Sequence, residues 1–447
     1  MRLGLSSGKI NMNRDRQSFN LLTLSLWGIL SLTILSGAFL LVYYIPTFSQ
    51  AFPSVEKLSV QVPFGWIFRR LHGAGGNFLL LLLVIHFLRV FYAGDYKNRS
   101  GRFWIAEIFL VVFALWANFT GFFLPLSQEA FWGTAVTLSG FSSLPWIGGG
   151  LAELVRGGKE LGGTALSRFV SMHILFAALL GLLMFGHSRM TKQEETAGEG
   201  IESAGNVWVS AVVAILLLTV ITLAPHWFTD PLREAVNPTS NPTGIVGPWH
   251  MMFFQEALSY LSLASPFWST VLIAVAVCLV FFLPYYDRGQ ERRLLLRPFA
   301  LVLGSGLFVL VLYFTFLGMA GAQYGERAVL PVRPASAMEV RGAQVYMEKN
   351  CAFCHQIFGK EGRREGPDMA VVLQRRRSPE WVQRFIVNAR LYQPGTTMPK
   401  YDLPLEDLEA LRSYLLSLDP TKRKFQIVDR SLLFEYGAIG VWGGDQR

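Results

Sequence analysis

Apolar blocks of about twenty residues recur along the chain, and they constrain its fold more than any other feature. They fall near residues 21–44, 74–93, 104–124, 169–187, 207–225, 267–284 and 299–318. Each approaches the ~20 residues that carry a helix through the hydrocarbon of a bilayer. In lipid every backbone N–H and C=O must be paired internally, which leaves helices or closed barrels, and no alternating barrel pattern is present. Seven transmembrane helices are expected. Only 16% of the 447 residues are charged, against ~25% in ordinary soluble domains. The first block is too long for a signal-peptide core and lacks a small-residue cleavage site after it, so it is expected to be a retained helix.

The net charge of +9 does not point to nucleic acid, because the basic residues lie mostly between helices. Lys9, Arg14 and Arg16 precede the first span, and Lys97, Arg99 and Arg102 separate the second from the third. Arg189 and Lys192 follow the fourth, and Arg288, Arg292, Arg293 and Arg297 precede the seventh. If the helices alternate, all four sets share one face, and the excess of positive charge makes that face cytoplasmic. The C-terminal part then lies on the outer, periplasmic face of a bacterial cytoplasmic membrane.

Of seven histidines, His72 and His86 lie on the second span and His173 and His187 on the fourth, with 14 residues between the members of each pair. At ~3.6 residues per turn, 14 residues is nearly four turns, so each pair shares a helix face and spans about 21 Å. The two spans cross in the same direction, which sets His72 level with His173 near the outer face and His86 level with His187 near the inner face. Two imidazoles facing each other across a bundle can ligate one haem iron from both sides. The pattern predicts two stacked, non-covalent haems b, each bis-His. Gly73, Gly75 and Gly76 follow His72, and Gly37 and Gly121 lie in neighbouring spans, where a missing side chain lets a flat macrocycle approach. Arg69, Arg89 and Arg168 lie close in sequence to these histidines and are placed to pair haem propionates.

After the last span the composition changes. Residues 323–335 read as a linker rich in Gly, Pro and mixed charge, 336–420 as a small helical domain, and 421–447 as an apolar tail expected to pack on the membrane domain or a partner. Within the domain, Lys349–Asn350 precede Cys351, Cys354 and His355, the C-x-x-C-H pattern that attaches a haem c through two thioethers and ligates its iron with the imidazole. A redox dithiol or a zinc site lacks partners, since the third cysteine, Cys278, lies in an apolar span and is expected to be inert packing. The stretches "GPD" at 366–368 and "GTTMPKYDL" at 395–403 are similar to loops of small class I cytochromes c. They put Met398 at the sixth-ligand position, 43 residues after His355.

Residues 20–320 resemble cytochrome b of the quinol–cytochrome c reductases (bc-type and b6f-type). The resemblance is carried by "GWIFRRLHGAGGN", "FLPLSQEAFWGTAV", "SRFVSMH" and "APHWFTDPLREAVNPTSNPTGIVGPWHMMFF". It implies an all-α fold: a seven-helix bundle with four spans and two b haems in residues 1–200 and three spans in 201–322, plus a small all-α cytochrome c domain on the outer face. It also implies a quinol site near that face. The family motif there reads Pro-Glu-Trp-Tyr, and Gly247, Pro248, Trp249 and His250 stand at its places. The usual acid is missing, so His250 is the candidate proton acceptor, with Trp249, Glu256 and Glu129 as further quinol-site candidates. At the inner quinone pocket the matching places hold Lys192 and Asn206. Two glycines are usual in the first span and two in the third; the outer ones are Gly37 and Gly121, whereas Thr23 and Glu107 stand at the inner places.

The implied function is a quinol:cytochrome c oxidoreductase subunit coupled to proton translocation. Its expected partners are a separate Rieske-type iron–sulfur protein, since the chain has no cysteines for a cluster, a soluble or membrane-bound cytochrome c acceptor, the lipid membrane and a second copy in a homodimer. The alternative is a non-bifurcating conduit between the quinone pool and a periplasmic carrier.

Overall fold

The computed structural model describes residues 4–99, 101–142, 144–158, 160–195, 232–238, 247–261, 266–321, 334–358, 366–369, 378–393, 396 and 398–418. The expected span at 207–225, most of the linker, the tail and Asn206 lie outside them. The described elements are helices, and an isolated antiparallel bridge joins Ser127 to Ala235. The chain divides into two compact units: residues 1–125, 166–233 and 273–308, and residues 126–165, 234–272 and 309–447.

The first unit is built on α1 (Gly4–Tyr43), α3 (Gly65–Ala93), α4 (Gly101–Phe123) and α7 (Gly163–Glu195), with the short α2 (Ala51–Gln61) ahead of α3. Five described helices are long and apolar enough to span a bilayer: Leu22–Tyr43, Gly65–Ala93, Gly101–Phe123, Gly163–Met190 and Pro298–Ala320. The second begins well before the expected residue 74. Arg69 and Arg70 interrupt the apolar run that marks a span, but both are good helix formers and the helix continues through them. It ends at Gly94, whose φ of 67° no β-substituted residue adopts cheaply and whose N–H caps the carbonyls of Val90 and Phe91.

The expected sixth span is shorter than anticipated. A 16-residue helix of the second half, Pro266–Phe281, stops ahead of Pro284. Proline lacks an N–H and clashes with the carbonyl four residues earlier. That carbonyl, of Val280, accepts a hydrogen bond from Trp104 Nε1 at 2.9 Å instead. Cys278 lies on the exposed surface of this helix rather than in packing, beside exposed Val275 and Val277. An apolar surface of this kind suits lipid.

Aromatic contacts fix the pairing of α4 with α7. Phe123 meets Phe169 at one end (ring centroids 4.6 Å), Trp116 stacks on Phe176 in the middle (5.7 Å), and Phe103 meets His187 at the other end (4.8 Å). The helices are therefore antiparallel. Between the two histidine levels lies an apolar layer. Leu79 and Leu180 stand seven residues after His72 and His173, and they pack with Leu30 and Ala114 of α1 and α4.

At the His86–His187 end, Arg297 is 4% exposed and donates to Tyr96 Oη at 2.6 Å and to Asp287, its Nη2 lying 3.0 Å from Oδ2. Lys97 reaches the other oxygen of Asp287 at 2.6 Å, and Trp27 Nε1 of α1 donates to Ser188 Oγ of α7 at 3.0 Å. Lys97 and Arg297, from two of the basic clusters, thus meet at one end of this unit.

In the second unit α5 (Gln128–Ser142) is joined to α6 (Gly148–Arg156) and packs on α8 (Trp249–Leu261). The C-terminal domain comprises α11 (Ala337–Glu348), the single turn α12 (Cys351–Cys354), α13 (Pro379–Val387) and α14 (Leu405–Ser417), numbered after α9 (Pro266–Phe281) and α10 (Pro298–Gly321). Ser336 Oγ accepts the N–H of Glu339, and Glu339 Oε2 accepts the N–H of Ala335, which fixes the start of α11. Gly342 lets α11 cross α14 closely, since a Cβ there would lie 2.0 Å from Ala410 O. Tyr346 and Tyr414 pack edge-on beside this crossing at 5.8 Å.

Candidate haem and quinone sites

His72 and His173 meet with ring centroids 5.9 Å apart, and His86 and His187 at 5.6 Å. The outer pair is prepared from both sides in the same way. His72 Nδ1 lies 2.9 Å from Thr33 O and His173 Nδ1 lies 2.9 Å from Ala117 O. Each carbonyl belongs to the residue four before a glycine. A Cβ on Gly37 would stand 2.7 Å from His72 Cε1, and one on Gly121 would stand 2.8 Å from His173 Cε1. The carbonyl fixes the tautomer with its proton on Nδ1, leaving each Nε2 as a lone-pair donor. This donor set fits a metal between two neutral imidazoles, and the glycines fit a flat group beside the rings.

The inner pair is furnished differently. Glu107 of α4 is 1% exposed, and its Oε1 lies 3.1 Å from His86 Nε2 and 2.7 Å from His187 Nε2. Ligand atoms of all three residues fall within 4.8 Å of one another, close enough to hold one metal ion. Arg89 lies near Asp95, with Nη1 3.8 Å from Oδ2; Arg69 is partly buried and Arg168 exposed. Lys192 lies on the last turn of α7.

In the second unit, Gln128 Oε1 accepts the N–H of Asn237 at 2.6 Å, and Gln128 N donates to Glu234 O at 3.0 Å, tying residues 234–237 to the start of α5. On α8, Trp249 is 41% exposed while His250 is 5% exposed, and neither ring nitrogen of His250 has a hydrogen-bond partner. Burial lowers its pKa to about 3, which keeps the ring neutral. Glu256 is buried on the same helix, and Glu129 is partly buried in the first turn of α5. Gly247 permits a close approach, since a Cβ there would stand 2.5 Å from Thr137 Oγ1.

In the C-terminal domain His355 Nδ1 lies 2.8 Å from Pro367 O, so this imidazole too presents Nε2. Gly366 N donates to Cys354 O at 3.0 Å, and a Cβ on Gly366 would lie 2.3 Å from His355 Cε1. Cys351 and Met398 are partly buried against the domain core. The domain thus offers two thiols and one oriented imidazole to a covalent haem, with a thioether in the same small core.

The sequence did not reveal the carbonyls of Thr33, Ala117 and Pro367. The first two carry a retrievable signal, their place one turn before a glycine that backs a histidine.

Three stretches of the chain match known families. Residues 12–195 match the family model for cytochrome b/b6/petB, 235–338 that for cytochrome b(C-terminal)/b6/petD, and 339–419 that for cytochrome c. Cytochrome b of Schizosaccharomyces japonicus is 28% identical over 313 residues, 67% of this chain and 79% of its own length. A cytochrome b/c1 of Bradyrhizobium diazoefficiens is 27% identical over 313 residues, 66% of this chain and 45% of that protein. A chain of a hyperthermophilic respiratory Complex III shares the fold, with a TM-score of 0.55 and 22% identity over 67% of this chain and 90% of that one.

Proposed function

The chain belongs to the cytochrome b family and continues into a cytochrome c domain, and from that premise we propose that it is the redox subunit of a quinol:cytochrome c oxidoreductase. The reading is supported above all by the two histidine pairs at equal spacing, one of them with both Nδ1 atoms on backbone carbonyls. Haem groups supply one-electron carriers at three places: His72 with His173, His86 with His187, and Cys351, Cys354 and His355 with Met398. Arg69, Arg89 and Arg168 neutralise propionates.

His250, neutral and buried, accepts a hydrogen bond from a quinol hydroxyl and takes its proton only as the electron leaves, when that hydroxyl becomes strongly acidic, and Trp249 flanks the ring. Glu256 and Glu129 pass the proton outward. Lys192 and Asn206 are the candidates to contact quinone at a second site on the cytoplasmic face. A Rieske-type protein accepts one of quinol's two electrons, and the fused cytochrome c domain holds the exit to a soluble or membrane-bound cytochrome c at high local concentration through its tether. Release of protons outside and uptake inside couple the reaction to translocation. The assembly is a homodimer in a bacterial cytoplasmic membrane.

The second reading is a non-bifurcating conduit between the quinone pool and a periplasmic carrier. It is favoured by Gly247-Pro248-Trp249-His250, which holds no carboxylate, and by Glu107 at the inner histidines.

The test is an oxidant pulse on the purified complex, poised with quinol and with its inner quinone pocket blocked. Reduction of haem b while haem c is oxidised supports electron splitting. Oxidation of both together supports the conduit and rejects bifurcation.

A further inference from the structure

The two carbonyls that hold the outer imidazoles each take a further hydrogen bond from a hydroxyl. Thr33 O accepts from Ser36 Oγ at 2.9 Å as well as from His72 Nδ1 at 2.9 Å. Ala117 O accepts from Thr120 Oγ1 at 3.1 Å as well as from His173 Nδ1 at 2.9 Å. Thr120 Oγ1 also stands 3.4 Å from His173 Nδ1, so hydroxyl, carbonyl and imidazole form one triangle. Each hydroxyl belongs to the residue just before the glycine that backs the ring, Gly37 or Gly121. Both residues are buried, Ser36 at 1% and Thr120 at 0% exposure. The arrangement recurs on two helices, α1 and α4, at the outer level. Fourteen residues earlier, at the register of the inner histidines, the same two places hold Leu22 and Ala106, whose side chains have no donor.

Back-bonding of a serine or threonine to the carbonyl four residues earlier is ordinary in helices, and Ser36 and Thr120 do this too, with Leu32 O and Trp116 O at 2.7 Å. Their second acceptor is the uncommon one, because it is the carbonyl that holds an iron ligand. Resting on the two-haem reading, we propose that Ser36 and Thr120 are positioning residues that raise the reduction potential of the outer haem. A carbonyl oxygen has two lone pairs. One faces the helix's own hydrogen-bond ladder, so the hydroxyl and the imidazole N–H compete for the other. The Nδ1–H bond is weaker for that competition, the ring is less anionic, and Nε2 is a poorer donor to ferric iron. Loss of either hydroxyl strengthens the carbonyl's hold on the imidazole proton and favours the ferric state. These contacts lie on the Nδ1 side of each ring, so ligation at Nε2 leaves them in place. Leu22 and Ala106 offer no such competition, so the device acts on the outer potential and leaves the inner one alone.

The experiment is a potentiometric titration of the purified full-length complex, read by haem b and haem c absorbance. It compares the parent with Ser36→Ala, Thr120→Val, the double variant, and the hydroxyl-keeping Ser36→Thr and Thr120→Ser. The haem b to haem c ratio is counted in each. The expected result is two b haems per haem c throughout. Ser36→Ala and Thr120→Val each shift one b midpoint downward. It is the same midpoint in both, because His72 and His173 serve one iron, and the double variant shifts it furthest. The other b midpoint is constant, and the hydroxyl-keeping variants stay near the parent values. Two b haems with midpoints unchanged or shifted upward in the double variant overturn the inference and leave the two-haem reading standing. Single variants that move different midpoints overturn it as well. One b haem per haem c in the parent overturns both readings. Loss of a b haem from Ser36→Ala and Thr120→Val, with retention in Ser36→Thr and Thr120→Ser, assigns the hydroxyls to holding the group and overturns their role in potential.

Discussion

At the scale of single residues, the buried imidazole of His250 is the most consequential side chain outside the histidine pairs. It has no hydrogen-bond partner and is neutral, its pKa being lowered to about 3. If it accepts quinol's proton, His250→Gln lowers quinol oxidation by about 10²-fold or more, the usual worth of a positioned base. Haem content stays unchanged, as steady-state assays beside absorbance spectra will show. The same shift sets a pH dependence of stability. The unfolded chain binds a proton at this residue below about pH 6.5, while the native state refuses it until about pH 3. Stability at this site is therefore full above about pH 6.5 and declines as pH falls from there toward 3. Thermal unfolding of His250→Phe should lose that part of the acid slope. Glycine 366 makes a purely steric prediction. Its Cβ would fall 2.3 Å from His355 Cε1, so Gly366→Ala displaces the imidazole and lowers covalent haem content, as haem-stained gels will register.

At the scale of elements, periodicity made the histidine arrangement legible. A 14-residue spacing repeated on two helices places four imidazoles at two levels without any knowledge of the fold, because helical registry is local. The start of α3 was not legible, since Arg69 and Arg70 break the apolar run without breaking the helix. The early stop of α9 carries its own signal, Pro284, but the group that takes up the freed carbonyl does not. Trp104 lies 176 residues from Val280, and nothing local joins them. Trp104→Phe leaves that carbonyl unpaired at a cost of about 1–3 kcal/mol. A lowered melting temperature with intact haem spectra is the expected outcome. The acid at the inner histidines was visible as a residue type at an unusual register, whereas its contact with both Nε2 atoms needed the structure.

For the whole molecule, the order of the domains and the two histidine levels within the first unit were plainer in the sequence than the ties between separate segments. The cluster of Asp287 with Lys97 and Arg297 joins loops about 190 residues apart. Charge statistics alone read those residues as free cytoplasmic positives. Their topological reading remains testable. A reporter active only outside the cytoplasm, joined after Leu418, should be active, and one inserted at Gly289 should be silent.

The histidine levels stand about 21 Å apart, with the apolar layer of Leu30, Leu79, Ala114 and Leu180 between them, in a hydrocarbon slab ~30 Å thick. None of these four side chains can carry an ion alongside an electron. A charge passing between the levels moves uncompensated through roughly two thirds of the membrane, as across the gap of a capacitor. With ~2.3 kcal/mol per charge at 100 mV across the whole membrane, the passage responds to voltage by about 1.5 kcal/mol. An energised membrane would therefore shift the electron populations of the two levels by about tenfold, as a back-pressure on whatever flow the quinone pool drives.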